Sequence, residues 1–268
     1  MKAKRVLALV CAALMASLLL AGCAGGERGM LLTEGILLVG TEIGYPPFEQ
    51  FSDDGVTPIG LDIDLAKEIG KILGLEVQFQ NTDFEGILDG LVIDKYDVVM
   101  SAVTITAARA EKVDFSDPYI ENWQAIVVRK GAEAIDSPEG LTGKNVAYQK
   151  ATTSTEYLNK LRDTGAVTPN KVEEYEKVMN CFDDLRLARV DAVLCDSVVA
   201  GDYEANHPDT FEITWVQSAP DEPELFGIAV KKGNAELLDA VNGALAELKA
   251  NGKYQDICSD WGLEKSMA

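Results

Sequence analysis

Blocks of apolar residues alternate with stretches of helical periodicity along the first half of the chain. Short continuous apolar runs bounded by turn residues are typical of buried strands. They lie at residues 36–39, 75–79, 97–101 and 123–128. Between them, apolar residues recur every three or four positions after Asp64, which suits a helix N-cap, and shorter helices are predicted over 84–93 and 109–113.

The second half repeats this alternation. Strands are predicted at 143–148, 192–195 and 226–230, and helices from Thr152 or Thr153 to about 162, over 178–188 and over 235–250. The last helix should end at Asn251-Gly252, because glycine readily adopts the left-handed conformation of a helix C-cap. Strands and helices that alternate with short loops predict α/β lobes with mainly parallel sheets.

Two prolines lie between two aromatic rings just after the first strand, in Tyr45-Pro46-Pro47-Phe48. Proline fixes φ and donates no backbone hydrogen bond, so the strand cannot continue through them. The stretch therefore predicts a rigid turn that presents both rings. The pattern alone leaves open whether they fill the core or face a ligand.

Composition and charge narrow the possible partners. The chain has 268 residues, of which 47% are hydrophobic and 25% charged, enough for two domains of ordinary size. Acidic residues outnumber basic residues by 44 to 24, and the net charge is −20. This charge opposes binding to nucleic acid or to an anionic membrane, whereas it suits a soluble exported protein and would attract a cationic ligand.

The N terminus has the pattern of an export signal. Three basic residues among the first five positions precede the apolar run 6–20, which is too short for a comfortable membrane span. The tetrad Leu-Ala-Gly-Cys at 20–23 resembles a bacterial lipobox, which implies cleavage before Cys23 and acylation of that residue. We expect a signal peptide over 1–22 and a lipidated tether over 23–32, with an ordinary secretory signal as the alternative.

The remaining cysteines and the single histidine limit the possible chemistry. Three cysteines, Cys181, Cys195 and Cys258, remain after the leader and the lipidated residue are set aside. Cys181 begins a predicted helix and Cys195 ends the next strand, so a disulfide between them and two buried free thiols are both possible. His207 is the only histidine, which argues against a zinc site and against a histidine-based catalytic triad. We expect no metal, cofactor or catalytic residue.

A cluster of hydroxyl residues and a cation follows the strand over 97–101. Ser101 and Thr104 come at its end, and Arg109 follows within a turn of helix. Backbone N–H groups, a threonine hydroxyl and a guanidinium that converge suit a carboxylate ligand. The alternative for Arg109 is a surface ion pair with Glu111 or Asp114.

Two further segments carry candidate binding groups. Thr152 and Thr153 lie at a predicted helix N terminus, where they could bind an anion or simply cap the helix. Asp196 ends a buried strand, where α/β sheets bind ligands, and an ammonium group would be a suitable partner. Asp62 and Asp64 could suggest a metal site, but we interpret them as strand-end and N-cap residues.

Ordered motifs along the whole mature chain resemble those of the bacterial extracellular solute-binding proteins of family 3, the amino-acid-binding proteins of ABC importers. They include GTEIGYPPFE at 40–49, FEGILDGL at 84–91, MSAVTITAAR at 100–109, RVDAVLCD at 189–196 and FGIAVKKG at 226–233. The resemblance implies a two-lobed periplasmic-binding-protein type II fold with two hinge crossings. The first lobe would comprise 33–122 and 223–268, and the second 123–222.

The resemblance also implies a ligand site between the lobes. Its expected residues are Glu42, Tyr45, Phe84, Ser101, Ala102, Thr104, Arg109, Thr152, Thr153 and Asp196. Tyr45 and Phe84 would form opposite walls of the pocket, while Phe48 packs beneath. Glu42 would touch the ligand side chain.

A carboxylate clamp is implied for the same pocket. It would consist of the Ala102 backbone, Thr104 and Arg109 from the first lobe and Thr153 from the second, with Asp196 on the α-ammonium group. Where the family usually has glycine, this chain has Ala151, which puts the usual close backbone approach of the following turn in question.

The function that the resemblance implies is the capture of a free amino acid and its delivery to an ABC permease by a monomeric, lipid-anchored protein that is not an enzyme. A polar or cationic amino acid is favoured over an acidic one, because Glu42 would repel a carboxylate. A ligand-sensing receptor domain and a dehydratase-like enzyme on the same fold are the alternatives.

Overall fold

The computed structural model describes residues 29–218 and 222–268. Within these ranges, Leu31–Ala268 form one compact unit. The predicted signal peptide over 1–22 and the lipidated Cys23 lie outside the described residues. A search of the described residues finds no helix with both the length and the apolar character needed to cross a membrane.

Short strands and helices alternate through the described residues, as their sequence periodicity predicts. The strands are β1 (Ile36–Thr41), β2 (Gln50–Phe51), β3 (Pro58–Ile59), β4 (Glu76–Asn81), β5 (Val98–Val99), β6 (Val113–Phe115), β7 (Ile120–Asn122), β8 (Gln124–Arg129), β9 (Asn145–Gln149), β10 (Lys171–Tyr175), β11 (Ala192–Asp196), β12 (Phe211–Val216), β13 (Glu224–Phe226) and β14 (Ala229–Lys231). The helices are α1 (Leu61–Leu73), α2 (Ile87–Val92), α3 (Ala107–Lys112), α4 (Thr153–Asp163), α5 (Val178–Arg186), α6 (Ser197–Asn206), α7 (Ala235–Asn251) and α8 (Lys253–Asp260), with a 3₁₀ turn at Pro138–Leu141.

Two five-stranded mixed sheets form the framework. The first has the order β4–β1–β5–β14–β6, in which β1 pairs in parallel with β4 and β5, and β14 pairs antiparallel with β5 and β6. The second has the order β10–β9–β11–β8–β12, in which β9 is parallel to both neighbours and β8 is antiparallel to both of its own. The α/β prediction is confirmed, and parallel pairings make up half of those in each sheet.

A small antiparallel ladder links the two parts of the chain that carry these sheets. Strand β7 precedes β8 of the second sheet, and β13 precedes β14 of the first. The two strands pair so that Glu224 lies opposite Asn122. The strand predicted over 226–230 is therefore two strands, separated at Gly227, where an added Cβ would lie 2.8 Å from the Ile105 side chain.

The start of α1 differs from the sequence prediction. The helix begins at Leu61 after Gly60, so the N-cap role expected of Asp64 is wrong. Asp62 is fully buried, and its carboxylate accepts a hydrogen bond from the Ala102 N–H group at 2.8 Å. The acidic residue therefore serves a contact that is distant in the sequence rather than the end of its own helix.

The three described cysteines are buried free thiols, so the hypothesis of a disulfide between Cys181 and Cys195 is wrong. Cys181 lies on the buried face of α5, and Cys195 lies in β11 at the centre of the second sheet. Both thiols pack as small apolar side chains. Burial raises the pKa of each thiol, which keeps the thiols protonated and unreactive.

We predict that Gly60→Ala will destabilise the protein by about 2–4 kcal/mol, because its φ of +139° is rarely adopted by residues with a Cβ and the added atom would lie 2.0 Å from the Phe48 carbonyl oxygen. Urea unfolding followed by circular dichroism measures the change. The matched control is Gly243→Ala, which adds the same atom to open space in α7 and should be neutral or slightly stabilising. Equal stability of the two variants would contradict this account of the turn.

Candidate functional site

One small cavity gathers most of the predicted binding residues. Its lining residues are Tyr45, Phe84, Ser101, Ala102, Thr104, Arg109, Gln149, Thr152, Thr153 and Asp196. Nine of the ten residues expected from the sequence therefore surround a single space. Gln149 was not among them, and Glu42 is absent from the described lining.

Arg109 is held by backbone carbonyls on both sides of the cavity. Its N–H group donates to the Thr106 hydroxyl at the start of α3, and its guanidinium donates to the carbonyls of Thr104 at 2.9 Å and Ala151 at 3.1 Å. The guanidinium carbon lies 5.4 Å from the centre of the Phe84 ring, within the range of a cation–π contact. These contacts rule out the surface ion pair and leave guanidinium N–H groups for an anion.

Burial lowers the pKa of Arg109 from its ordinary value, although nearby acidic groups, among them Asp196, act in the opposite direction. Arginine stays protonated under all ordinary conditions. The cavity therefore contains a permanent positive charge that is poorly hydrated. A carboxylate ligand would bind this charge with two parallel hydrogen bonds.

The loop that follows β5 is held from beneath by buried carboxyl groups. Ala102 has a φ of +46°, and its N–H group donates to Asp62. The N–H group of Ala102 is therefore already hydrogen-bonded, and the role expected of the Ala102 backbone in a carboxylate clamp stays a prediction. The Ser101 hydroxyl donates to Glu49 at 2.8 Å and accepts from the Glu42 N–H group at 3.0 Å.

Ala151 adopts the left-handed conformation that usually favours glycine, with a φ of +60°. The single methyl group is tolerated, and the carbonyl of this residue reaches Arg109. The following Thr152 is the backbone N-cap of α4, but its hydroxyl donates to the Gln149 carbonyl at 2.7 Å instead of capping the helix. The turn therefore keeps the approach to the cavity that the substitution had put in question.

Asp196 ends β11 inside a network of donors. Its carboxylate accepts hydrogen bonds from the Tyr45 hydroxyl, from Asn122 at 2.7 Å and from Gln124 at 3.0 Å. Burial, followed by repulsion from Glu224, raises the pKa of Asp196 to about 7. An ammonium group in the cavity would supply the missing positive charge and favour the ionised carboxylate.

The two aromatic rings of the Tyr45-Pro46-Pro47-Phe48 turn lie in different environments, as the sequence predicts. Tyr45 lines the cavity, while Phe48 is fully buried and packs edge-on against Phe226 with ring centres 5.4 Å apart. The peptide bond between Pro46 and Pro47 is cis. One ring of the turn thus faces the cavity, and the other anchors the turn in the core.

Glu42 does not occupy the position expected from the sequence. It is buried, and its carboxylate accepts a hydrogen bond from Gln149 at 2.5 Å and lies 3.8 Å from the Lys177 ammonium group. Gln149 takes its place on the described cavity wall. Burial raises the pKa of Glu42, which the Gln149 hydrogen bond and Lys177 partly offset.

Metal chemistry has no support in the part of the chain that the structure describes. There, no three histidine, cysteine or acidic side chains gather in a way that could hold a metal ion. The donors that surround the cavity are a guanidinium, an amide, hydroxyls and one carboxylate. Such a set suits an organic ion with both charges.

A family model described as bacterial extracellular solute-binding proteins, family 3, matches residues 37–264. The chain belongs to that family. Its members are extracellular, so this solute-binding protein works outside the cytoplasm.

Curated relatives of this solute-binding protein are also binding proteins. The L-cystine-binding protein TcyJ of Escherichia coli (strain K12) is 36% identical over 228 residues, which cover 85% of this chain and 82% of that protein. The ABC transporter arginine-binding protein 1 of the same strain is 32% identical over 257 residues, which cover 94% of this chain and 98% of that protein.

Solved structures show the same fold. An ancestral arginine-binding protein bound to arginine is 43% identical, with a TM-score of 0.79 over 85% of this chain and 98% of its own. An ancestral amino-acid-binding protein described as a precursor of cyclohexadienyl dehydratase is 36% identical, with a TM-score of 0.75 over 85% of this chain and 95% of its own. The type II periplasmic-binding fold expected of this solute-binding protein is confirmed.

Several residues that support the site were missed by sequence reasoning. They are Glu49, Asp62, Asn122, Gln124, Gln149 and Glu224. Asn122 ends β7 and Gln124 begins β8, so the two amides lie on either side of Trp123. That spacing of two amides was the available signal, but it does not reveal their partners.

Glu49 and Asp62 form a pair of fully buried carboxyl groups beneath the cavity loop. Among the described residues, Glu49 Oε2 and Asp62 Oδ1 are buried oxygens without a hydrogen-bond partner. Burial raises the pKa of Asp62 to about 7, and burial with repulsion between the two groups raises the pKa of Glu49 well above 4.5. A proton held between the two carboxyls would satisfy both unpaired oxygens.

We predict that Glu49→Gln will melt at a higher temperature than the original protein. This difference in melting temperature should grow between about pH 5 and about pH 8. When folding raises the pKa of a carboxyl group, its contribution to stability is complete below the pKa of the unfolded state. That contribution is lost as the pH rises through the pKa of the folded state. Glutamine avoids this loss, because its amide can donate to Asp62 at every pH. Calorimetric melting measures the effect.

The matched control is Glu247→Gln, which removes the same charge from an exposed position on α7. Its melting temperature should follow that of the original protein across the pH range. If Glu49→Gln and Glu247→Gln show the same pH dependence, the carboxyl pair does not hold a proton.

Proposed function

We propose that this protein captures a free amino acid in the cavity and delivers it to an ABC permease. The observation that carries the proposal is the presence of opposite charges, Arg109 and Asp196, on the walls of one small cavity. An amino acid zwitterion offers each a partner, with its carboxylate on Arg109 and its ammonium group on Asp196. Isolated buried charges are costly, so a ligand that pairs both gains affinity from each.

The cavity wall favours a polar or cationic side chain over an acidic one. Gln149 donates its amide N–H groups to Glu42 and to the Glu176 carbonyl, which directs its Oε1 atom elsewhere. Within the described residues, this buried oxygen has no hydrogen-bond donor. An amide, ammonium or guanidinium group would supply one, whereas a carboxylate would be repelled by Gln149 Oε1 and by Glu42 behind it.

Closure of two lobes would complete the site. We assign 33–122 and 223–268 to the first lobe and 123–222 to the second, with β7 and β13 as the crossings. Contacts across this division support the assignment, since Tyr45 donates to Asp196 and Arg109 donates to Ala151. A ligand that contacts both lobes stabilises the closed arrangement, and the permease would recognise that arrangement.

A binding role without catalysis agrees with the relatives and with the paired charges, which would hold an intact zwitterion. A receptor that passes ligand occupancy to a signalling partner would use the same cavity. Capture of the permease by the liganded protein from solubilised membranes supports transport, and capture of a sensor protein instead would favour the receptor role.

We expect Arg109→Ala to weaken amino-acid binding by a few hundredfold or more, which corresponds to about 3–5 kcal/mol for an unpaired buried charge. Isothermal calorimetry with each of the twenty standard amino acids measures this for the described unit. The matched control Arg186→Ala removes the same charge from a surface pair on α5. Arg109→Ala binding within threefold of the original protein would contradict the site assignment.

The same titrations test the ligand class. Arginine, lysine or glutamine should bind more tightly than glutamate and aspartate, because an acidic side chain would meet Gln149 Oε1 and Glu42. Glu42→Gln should reduce the preference for the cationic members of this set. An acidic amino acid that binds as tightly as the cationic ones would show that the polar or cationic class is wrong.

We propose that Cys23 carries a lipid that anchors the protein to the membrane. We expect Cys23→Ser to move the protein from the membrane fraction to the soluble fraction of exported proteins, because the acylated sulfur would be lost. Immunoblots of fractionated cells measure the distribution, and Cys258→Ser is a cysteine control that should stay with the membrane. Equal distribution of Cys23→Ser and the original protein would remove the case for acylation.

A further inference from the structure

We propose that Glu224 is a positioning residue that shares a proton with Asp196 in the empty site, so that binding of an ammonium group expels this proton to solvent. The inference rests on the proposed function of the same cavity. It adds a residue from the return crossing, β13, to the machinery that recognises the ligand. It also makes binding dependent on pH.

The register of two ladders brings the two carboxylates together. In the second sheet, Asp196 lies opposite Gln124, and in the small ladder between the crossings Glu224 lies opposite Asn122. Asn122 ends β7 and Gln124 begins β8, and both side chains donate to the two carboxylates. The two carboxylates therefore meet over one pair of amides.

Both amides donate hydrogen bonds to both carboxylates. The Asn122 amide donates to Asp196 at 2.7 Å and to Glu224 at 3.1 Å. The Gln124 amide donates to Asp196 at 3.0 Å and to Glu224 at 3.1 Å. Each amide nitrogen thus serves both carboxylates, and Thr153 on the cavity wall donates to Glu224 at 3.0 Å.

Other contacts fix the orientation of these amides. The Gln124 oxygen accepts from the Ser154 hydroxyl at 2.7 Å, and the Asn122 oxygen accepts from the Ser197 hydroxyl at 3.3 Å. The nitrogen atoms must therefore face the carboxylates. Neutral amides cannot cancel two negative charges and Arg109 can offset one of them, so a proton on the pair supplies the rest of the compensation when the cavity is empty.

The charged and titratable groups around the pair come from several elements. Tyr45 faces Asp196 from the turn after β1, Cys195 precedes it in β11, and Arg109 on α3 attracts both carboxylates. Arg109 is the cation on the cavity side, and its guanidinium is the expected partner of the ligand carboxylate, while Lys160 lies in the groove on the outer side of Glu224. The pair therefore keeps a shortage of positive charge that an ammonium group can fill.

The outer side of Glu224 faces a groove that also holds Glu156, Lys160 and Glu222. Glu224 is half-buried, and among the described residues it lines this groove and not the cavity. It therefore acts on the ligand through Asp196 and Thr153. Burial raises the pKa of Glu224, as expected for a member of the pair.

The first experiment uses the purified protein, refolded from denaturant to remove any copurified ligand, with carbon-13 in the aspartate and glutamate carboxyls. Asp196 is identified as the NMR signal that Asp196→Asn lacks. We expect its titration midpoint to fall in Glu224→Gln, because repulsion across the amides is removed. The matched control Glu222→Gln removes an exposed charge two residues away and should leave the midpoint unchanged.

The second experiment measures L-arginine binding by calorimetry in buffers that differ in ionisation heat. The original protein should release a proton on binding at about pH 6, and Glu224→Gln should release fewer. The ratio of the Kd of Glu224→Gln to that of the original protein should rise by about threefold or more between about pH 6 and about pH 8.5. A purely structural role would weaken binding by the same factor at every pH.

The outcomes separate this inference from the proposed function. An Asp196 midpoint that is equal in the original protein and in Glu224→Gln overturns the inference, as does a Kd ratio that does not change with pH. If L-arginine gives no heat with any variant, arginine is not the ligand, and the Asp196 midpoints of the unliganded proteins alone decide whether the two carboxyls share a proton.

Discussion

A buried carboxylate at the end of one strand is the constraint on which the site depends. Asp196 ends β11 where little water reaches it, and its donors are Tyr45 in the turn after β1, Asn122 at the end of β7 and Gln124 at the start of β8. A charge removed from water costs several kcal/mol unless partners compensate for it. The turn and the crossing must therefore adopt one arrangement relative to β11 for this charge to be tolerated.

Buried acidic groups also support the opposite half of the cavity. Asp62 holds the N–H group of Ala102 in a left-handed conformation, and Glu49 holds the hydroxyl of Ser101. A non-glycine residue with positive φ costs free energy and persists only where its surroundings fix it. The carboxyl groups supply that fixation, so the loop that leads to Arg109 is set before any ligand arrives.

The sequence predicts those site residues that can be recognised from the pattern of their own segment. Arg109 follows a strand end, and Asp196 ends a strand, so each could be placed from its own segment. Glu224 could not be placed, because the amide donors that it shares with Asp196 depend on the register of two ladders between distant segments. The position of Glu42 was wrong for a similar reason: Gln149, from a strand more than a hundred residues later, lies between it and the cavity.

The buried carboxylates make the empty protein less stable than an apolar site of the same shape would be. The raised pKa values of Asp196 and Glu224 show that both groups are held against the preference of their ionised forms. In the proposed function, a ligand ammonium group would relieve this repulsion and gain affinity from it. Replacement of either acid by a neutral side chain would remove this repulsion and, with it, the attraction that the proposed site offers to an ammonium group.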